Sequence, residues 1–240
     1  MDMTKLTKPA RKLLPLKRCG AVIVAAGSAS RMKGIDKIMA DLGGMPVIAR
    51  TVKAFQECDC ISEIVIVTRE DLIPAVTAAC LGFDKVTAVV AGGDSRPESV
   101  NNGLNALSDK VKLAAIQDGA RPLITEAVID RTIRAAHTYG AAAPAIPVKD
   151  TIKVVAGGIV SSTPDRSTLK AIQTPQVFDF DLLKGALKKA FEDKAEITDD
   201  CSAVERLGMS VKIVEGDERN IKVTTPLDLA IAKLLLEEMQ

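Results

Sequence analysis

Apolar residues in this chain fall into short runs separated by polar and glycine-rich segments, and the runs alternate between two periods. The run "CGAVIVAAG" (19–27) is nearly continuous and bounded by glycine, which predicts a buried first strand. "PVIARTVKAFQEC" (46–58) carries apolar residues at helical spacing, with Pro46 at its start. "EIVIVT" (63–68) and "KVTAVV" (85–90) are β-branched runs that predict strands, and 71–81 between them has a helical pattern. A helix is expected over 96–107, with Pro97 in its first turn. A strand follows at 112–119, then a helix at 125–139 with Thr125 as N-cap, then a small-residue strand at 140–148.

Strands alternating with helices predict an α/β fold: a Rossmann-like, mainly parallel sheet with helices on both faces. The pattern breaks at 149–175, where short alternating segments and turn signals at Gly157–Gly158 and Pro164–Asp165 predict a β-arm projecting from the domain. After it come helices at 179–191 and 199–207, a strand in "SVKIVEG" (210–216) and a final helix at 226–239. The organisation expected is a mobile basic tail over 1–18 and one nucleotidyltransferase-type domain over 19–240.

Composition narrows the function. No apolar run approaches the roughly 20 residues of a membrane span, so a soluble protein with no membrane partner is expected. The net charge of +1 is unevenly spread. Residues 1–18 hold six basic side chains and one acid, which leaves 26 basic against 30 acidic residues in the rest. A body of that sign, with six aromatics in all, argues against a nucleic-acid partner. The basic start followed by "CGAVIVAAGSAS" has the outline of a signal peptide, but cleavage near Ser28 would destroy the loop after the first strand. Five cysteines without a CxxC pair suit reduced thiols and a cytoplasmic location.

In parallel sheets the ligand sits beyond the carboxyl ends of the strands. Three polar clusters fall there. "AAGSASRMKGIDK" (25–37) has small residues that let backbone N–H groups approach phosphate oxygens, and two cations, Arg31 and Lys37. It contains neither a Walker loop nor GxGxxG, which weakens a dinucleotide-binding reading. A solvent-exposed basic loop is the alternative. "GGDSRPESV" (92–100) places Asp94, Arg96 and Ser99 around a helix start, either to grip a ribose or base or as a plain turn. "QDGARP" (117–122) puts Asp118 at a strand end, suited to Mg²⁺ or to an Asp-Gly turn, with Arg121 nearby for an anion. Lys222 lies in a charged loop before the last helix. The single histidine, His137, sits in a predicted helix, and no nucleophile–histidine–acid set can be built. Cations and a metal without a general base suit attack by an already anionic phosphate on a nucleotide phosphorus.

Seven strings in order give this inventory a family: "AAGSASRM", "GGDSRPESV", "QDGARP", "PVKDTIK", "DRSTLKAIQTPQVF", "ITDDCSAVERLG" and "VEGDERNIKVTTPLDLA". From about residue 19 to 238 the chain resembles the 2-C-methyl-D-erythritol 4-phosphate cytidylyltransferases of the non-mevalonate isoprenoid pathway. The resemblance implies transfer of CMP from CTP to methylerythritol phosphate with Mg²⁺. It implies that Arg31 and Lys37 stabilise the transition state, and that Arg166 and Lys222 position the acceptor. Asp118 would hold Mg²⁺, with Arg121, Thr151 and Thr174 on the acceptor side. Ala25, Ala26, Gly27, Gly93, Asp94, Ser99 and Gly119 would surround CTP. It further implies a homodimer joined through the β-arms, with Thr151 and Arg166 serving the partner's site. Asp36 stands where the family pattern has proline before the lysine. The competing readings are a ribitol-5-phosphate cytidylyltransferase, a non-catalytic nucleotide-binding module and, more remotely, a Rossmann-type dehydrogenase.

Overall fold

The computed structural model describes residues 16–27 and 36–239. Its centre is an eight-stranded sheet. β1 (Cys19–Val24) lies in the middle, with β2 (Ile61–Thr68) and then β3 (Val86–Ala91) on one side, all parallel. On its other side lies β4 (Leu113–Asp118), also parallel. The sequence therefore runs outward from β1 in one direction and then returns to start in the other, which opens a crevice at the carboxyl ends of β1 and β4.

Side chains of β1 alternate strictly between the two faces, because strand residues point to opposite sides in turn. Ala21, Ile23 and Ala25 join Ile64, Ile66 and Ala115 against α1 (Val47–Glu57) and α4 (Glu126–Tyr139), through Ile48, Val52, Phe55, Val128 and Ile133. Val22 joins Val65, Val67 and Ile116 against α3 (Arg96–Ala106) and α5 (Phe180–Glu192), through Val100, Leu104, Leu183 and Leu187. Burial on both faces explains why these strands read as continuous apolar runs. A third, smaller cluster seats α7 (Pro226–Glu238) through Leu42, Val47, Val223 and Ala232.

α3 can approach β1 closely because Gly103 faces the sheet. A Cβ there would come within 2.3 Å of Val22 Cγ1 and 2.8 Å of Val67 Cγ2, both on buried strands. Helix propensity alone would favour alanine at this position by up to about 1 kcal/mol. Overpacking wins here, so Gly103→Ala is expected to destabilise the protein by roughly 1–3 kcal/mol in denaturant unfolding. An unchanged midpoint would show that α3 has room to shift.

The structure departs from the sequence pattern in several places. β9 (Gln176–Asp179) is an antiparallel strand between β4 and β5 (Ala141–Pro147), where a direct run into the helix was expected. Four residues are too few to show a period. The helical stretch at 71–81 is a 3-10 turn, Glu70–Leu72, followed by the short α2 (Ile73–Ala79). Thr125 occupies the N-cap of α4, but its side chain makes no capping bond. Within 149–175 only β6 (Val154–Ala156) and β7 (Ile159–Ser162) form a separate hairpin, turned by Gly157 and Gly158 at positive φ. β8 (Lys170–Ile172) already returns to the main sheet on β5. β10 (Lys212–Glu215) adds a parallel strand beyond β5, and α6 (Asp200–Glu205) lies between α5 and β10 in sequence. The basic segment expected over 1–18 lies outside the described residues up to position 15. Its last residues are docked, with Lys17 Nζ 2.8 Å from Asp179 and the Arg18 carbonyl accepting from the Lys112 and Leu113 amides.

Candidate functional site

The described residues of the three polar clusters meet at the carboxyl ends of β1, β3 and β4, around a cavity of about 370 Å³. Ala25, Ala26 and Gly27 form its floor, Gly93, Asp94 and Ser99 one wall, and Lys37, Arg96, Asp118 and Lys222 the charged rim. A Cβ on Gly92 would lie 2.4 Å from Ala26 Cβ, so only glycine lets the second loop come this close to the first. The second loop is fixed by its helix start. Ser95 and Glu98 form a reciprocal cap on α3, and Ser99 Oγ accepts from the Gly93 amide at 3.1 Å while donating to the Ser95 carbonyl at 3.0 Å.

Asp118 is the electrostatic centre. It ends β4, and its side chain is 11% exposed. Lys222 Nζ lies 2.9 Å from one carboxylate oxygen, Arg121 Nε 3.4 Å from the same oxygen, and Arg96 Nη2 3.9 Å from the other. Arg96 in turn donates to the buried Asp200 at 2.7 Å. Burial acts to raise the Asp118 carboxyl, but Lys222, Arg96 and Arg121 outweigh it and hold Asp118 below the ordinary carboxylate range. Burial also pushes Asp200 up, with Arg96 opposing. Of the residues lining the cavity, three cations (Lys37, Arg96 and Lys222) face two carboxylates (Asp94 and Asp118), so the site favours a polyanion.

Because the folded carboxyl of Asp118 is depressed, its stabilisation is complete above its unfolded value of about 3.9 and is lost as pH falls through the lower folded value. The Asp118→Asn variant is therefore expected to show a flatter loss of melting temperature below about pH 4 than the parent chain. An identical acid limb in both proteins would rule out this cluster as a contributor.

A divalent cation fits on one condition. Among the described residues no group of three His, Cys, Asp or Glu side chains is placed to hold a metal. The protein thus offers Asp118 rather than a cage, which suits Mg²⁺ completing its shell with water and phosphate oxygens.

Other sequence-derived candidates lie elsewhere. Gly119 does not line the cavity: its amide donates to the Val24 carbonyl at 2.8 Å and its carbonyl accepts from Thr51 Oγ1 at 2.9 Å. Thr174 is buried, and its hydroxyl accepts from the Asp118 amide at 3.1 Å, behind the carboxylate. Arg121 is turned inward, donating to the Asn220 carbonyl at 2.7 Å. Thr151 is exposed near the arm, and Arg166 donates to the Lys149 carbonyl at 2.7 Å beside a separate open groove with Lys149 and Lys170. Arg31 lies outside the described residues. Asp36 accepts from Arg69 at 2.8 Å, and Lys37 reaches the cavity next to Gly27.

The sequence reading missed Asp200 and the pair Gln173 and Asn220. Gln173 Nε2 donates to the Asp217 carbonyl, its Oε1 accepts from the Asp217 amide, and Asn220 Nδ2 donates to the Thr174 carbonyl, which ties the Lys222 loop to the sheet. "TDD" announced a helix start, but nothing in it said that the second aspartate points inward at an arginine 104 positions away.

Comparison with known proteins gives the chain its relatives. Residues 19–238 fit the family model for 2-C-methyl-D-erythritol 4-phosphate cytidylyltransferase, IspD. The protein of that name from Caldanaerobacter subterraneus subsp. tengcongensis is 45% identical over 227 residues, covering 91% of this chain and 98% of the relative. The one from Clostridium novyi is 43% identical over 229 residues, covering 93% and 98%. The crystal structure of 4-diphosphocytidyl-2C-methyl-D-erythritol synthase from Anaerococcus prevotii superposes with a TM-score of 0.83 at 32% identity, covering 92% of this chain and 99% of that one. The Thermus thermophilus 2-C-methyl-D-erythritol 4-phosphate cytidylyltransferase gives 0.77 at 30% identity, with the same coverage.

Proposed function

The chain belongs to the 2-C-methyl-D-erythritol 4-phosphate cytidylyltransferase family, and from that premise we propose that it transfers CMP from CTP to 2-C-methyl-D-erythritol 4-phosphate with release of pyrophosphate. The observation that carries this reading is the cation-rimmed cavity at the carboxyl ends of β1, β3 and β4, centred on Asp118. The acceptor phosphate is already an anion, so its oxygen attacks the α-phosphorus without a general base. What the site must supply is alignment and charge neutralisation.

In this reading the loops at Ala25–Gly27 and Gly93–Ser99 hold the nucleotide. Lys37 faces the phosphates, while Lys222 faces the acceptor. Asp118 would hold Mg²⁺, which would supply neutralisation of phosphate charge. Arg121, Thr174 and Gly119 act from behind, by fixing Asp118 and the strand end. Incubating the purified protein with CTP, Mg²⁺ and either methylerythritol phosphate or ribitol 5-phosphate tests the reaction. Pyrophosphate release with the first acceptor is expected. Release with ribitol 5-phosphate alone would overturn the acceptor, and CTP binding with no release would favour a non-catalytic module.

The active unit in this reading is a homodimer. Thr151 and Arg166 lie apart from the cavity, and the arm exposes Val154, Val155, Ile159 and Val160, an apolar surface that a second copy would cover. Val155 and Val160 pair directly across the hairpin. Val155→Glu with Val160→Glu is expected to give a monomer in size-exclusion chromatography, with turnover lost. A dimer of unchanged size would move the interface away from the arm. Free thiols at all five cysteines support a cytoplasmic location in this reading.

A further inference from the structure

We propose that the ion pair between Asp36 and Arg69 holds Lys37 over the nucleotide cavity, which makes both positioning residues for the transfer reaction. The inference rests on the functional reading above and adds to it what aims the lysine.

Lys37 sits in a turn with unequal anchors. On its C-terminal side the chain is locked to the core. Ile38 is buried and its carbonyl accepts from the Ile48 amide at 2.9 Å, and the Ala40 carbonyl accepts from the Val47 amide at 3.0 Å. On its N-terminal side the anchor is Asp36. One carboxylate oxygen accepts from the Ile38 amide at 3.0 Å, closing a loop around Lys37, and the Asp36 carbonyl accepts from the Met39 amide at 3.2 Å. The other carboxylate oxygen accepts from Arg69 Nη2 at 2.8 Å.

Arg69 is a firm post for this attachment. It directly follows Thr68, the last residue of β2, a strand hydrogen-bonded on both sides by β1 and β3. Its guanidinium also donates to Asp71, through Nε at 3.1 Å and through the same Nη2 that reaches Asp36, at 3.3 Å. Arg69 thus bridges Asp71 and Asp36, and the turn is referenced to the sheet whose ends carry the cavity. The distance that matters is short: a Cβ on Gly27 would lie 3.9 Å from Lys37 Nζ, so the amine sits directly over the small-residue floor. A displacement of about 1 Å in a group that neutralises a transition state costs up to about 100-fold in rate.

An ion pair with side chains 32% and 21% exposed keeps contact with water and contributes modestly to global stability, so its two possible roles separate experimentally. Asp36→Ala, Arg69→Ala and the double variant are compared with the parent chain for kcat, KM for CTP and melting temperature. Each single substitution is expected to lower kcat about 10-fold, with melting temperature within about 3 °C of the parent. The double variant is expected to match the weaker single variant, because both remove one interaction. Arg69→Lys, which keeps one donor for Asp36, should recover part of the rate. Single variants within twofold of parent kcat, or losses that multiply in the double variant, would overturn the proposal. A readout without turnover keeps it separate from the functional reading. Lys37 labelling by an amine-reactive ester, followed by peptide mass spectrometry, should accelerate in both single variants. Unchanged labelling rates would also overturn it. A parent protein that releases no pyrophosphate would count against the reaction, while the labelling comparison would still decide the ion pair.

Discussion

Turnover of a Lys222→Ala variant is expected to fall about 100-fold or more while the fold is retained, the loss typical of a charge partner removed from a transition state. Lys222 is the cation nearest Asp118, at 2.9 Å, on the rim of the cavity. In the proposed reaction the negative charge of a triphosphate, an attacking phosphate and a leaving pyrophosphate would meet at this rim. Removing one of its cations raises the barrier more than it weakens ground-state binding. The fold survives because the lysine is not what anchors its loop. The next residue, Val223, is buried beneath α7, and its amide donates to the Ala120 carbonyl at 2.8 Å. Asp118 keeps Arg121 and Arg96. Pyrophosphate release under saturating substrates measures the effect, with circular dichroism as the check on folding. Lys37→Ala should behave alike. Near-parental turnover in a folded Lys222 variant would remove that lysine from the catalytic set.

Loss of stability should be greatest at Asp200. This side chain is 1% exposed and receives Arg96 Nη2 at 2.7 Å. Asp200→Ala leaves a mostly buried guanidinium with Asp118 as its remaining partner, at 3.9 Å. Breaking one side of a buried pair costs roughly 3–5 kcal/mol. Arg96 retains some access to water, at 30% exposure, so the low end of about 3 kcal/mol applies here. For a chain of this length that corresponds to a fall in melting temperature of about 6–12 °C. The same change frees Arg96 toward Asp118, so activity should fall beyond what unfolding explains. A melting temperature within about 2 °C of the parent would show that Arg96 is solvated without its aspartate.

Much of the architecture was legible because burial on both faces writes itself as apolar runs. The strands β1 to β4 and the helices α1, α3 and α4 all fall where period and punctuation place them. β9 was not legible, since four residues carry no period and its pairing partners β4 and β5 are remote in sequence. The arm was over-extended for a related reason: 170–172 looks like the rest of the arm, and only its pairing with β5 returns it to the main sheet.

By itself the sequence determined the residue types that can meet a polyanion, the loops that carry them and, through seven ordered strings, the family. Charge and small-residue spacing are local properties and survive as text. The tertiary structure decided which of those groups share a cavity. It gathered Lys37, Arg96 and Lys222 around Asp118, withdrew Gly119 and Thr174 into support of the strand end, and set Thr151 and Arg166 apart near the arm. It also supplied Asp200 and Arg69 as partners that no local motif announces. A carboxylate 104 positions from its arginine becomes a neighbour only when two helices pack on the same sheet, and that contact depends on the whole fold rather than on either segment.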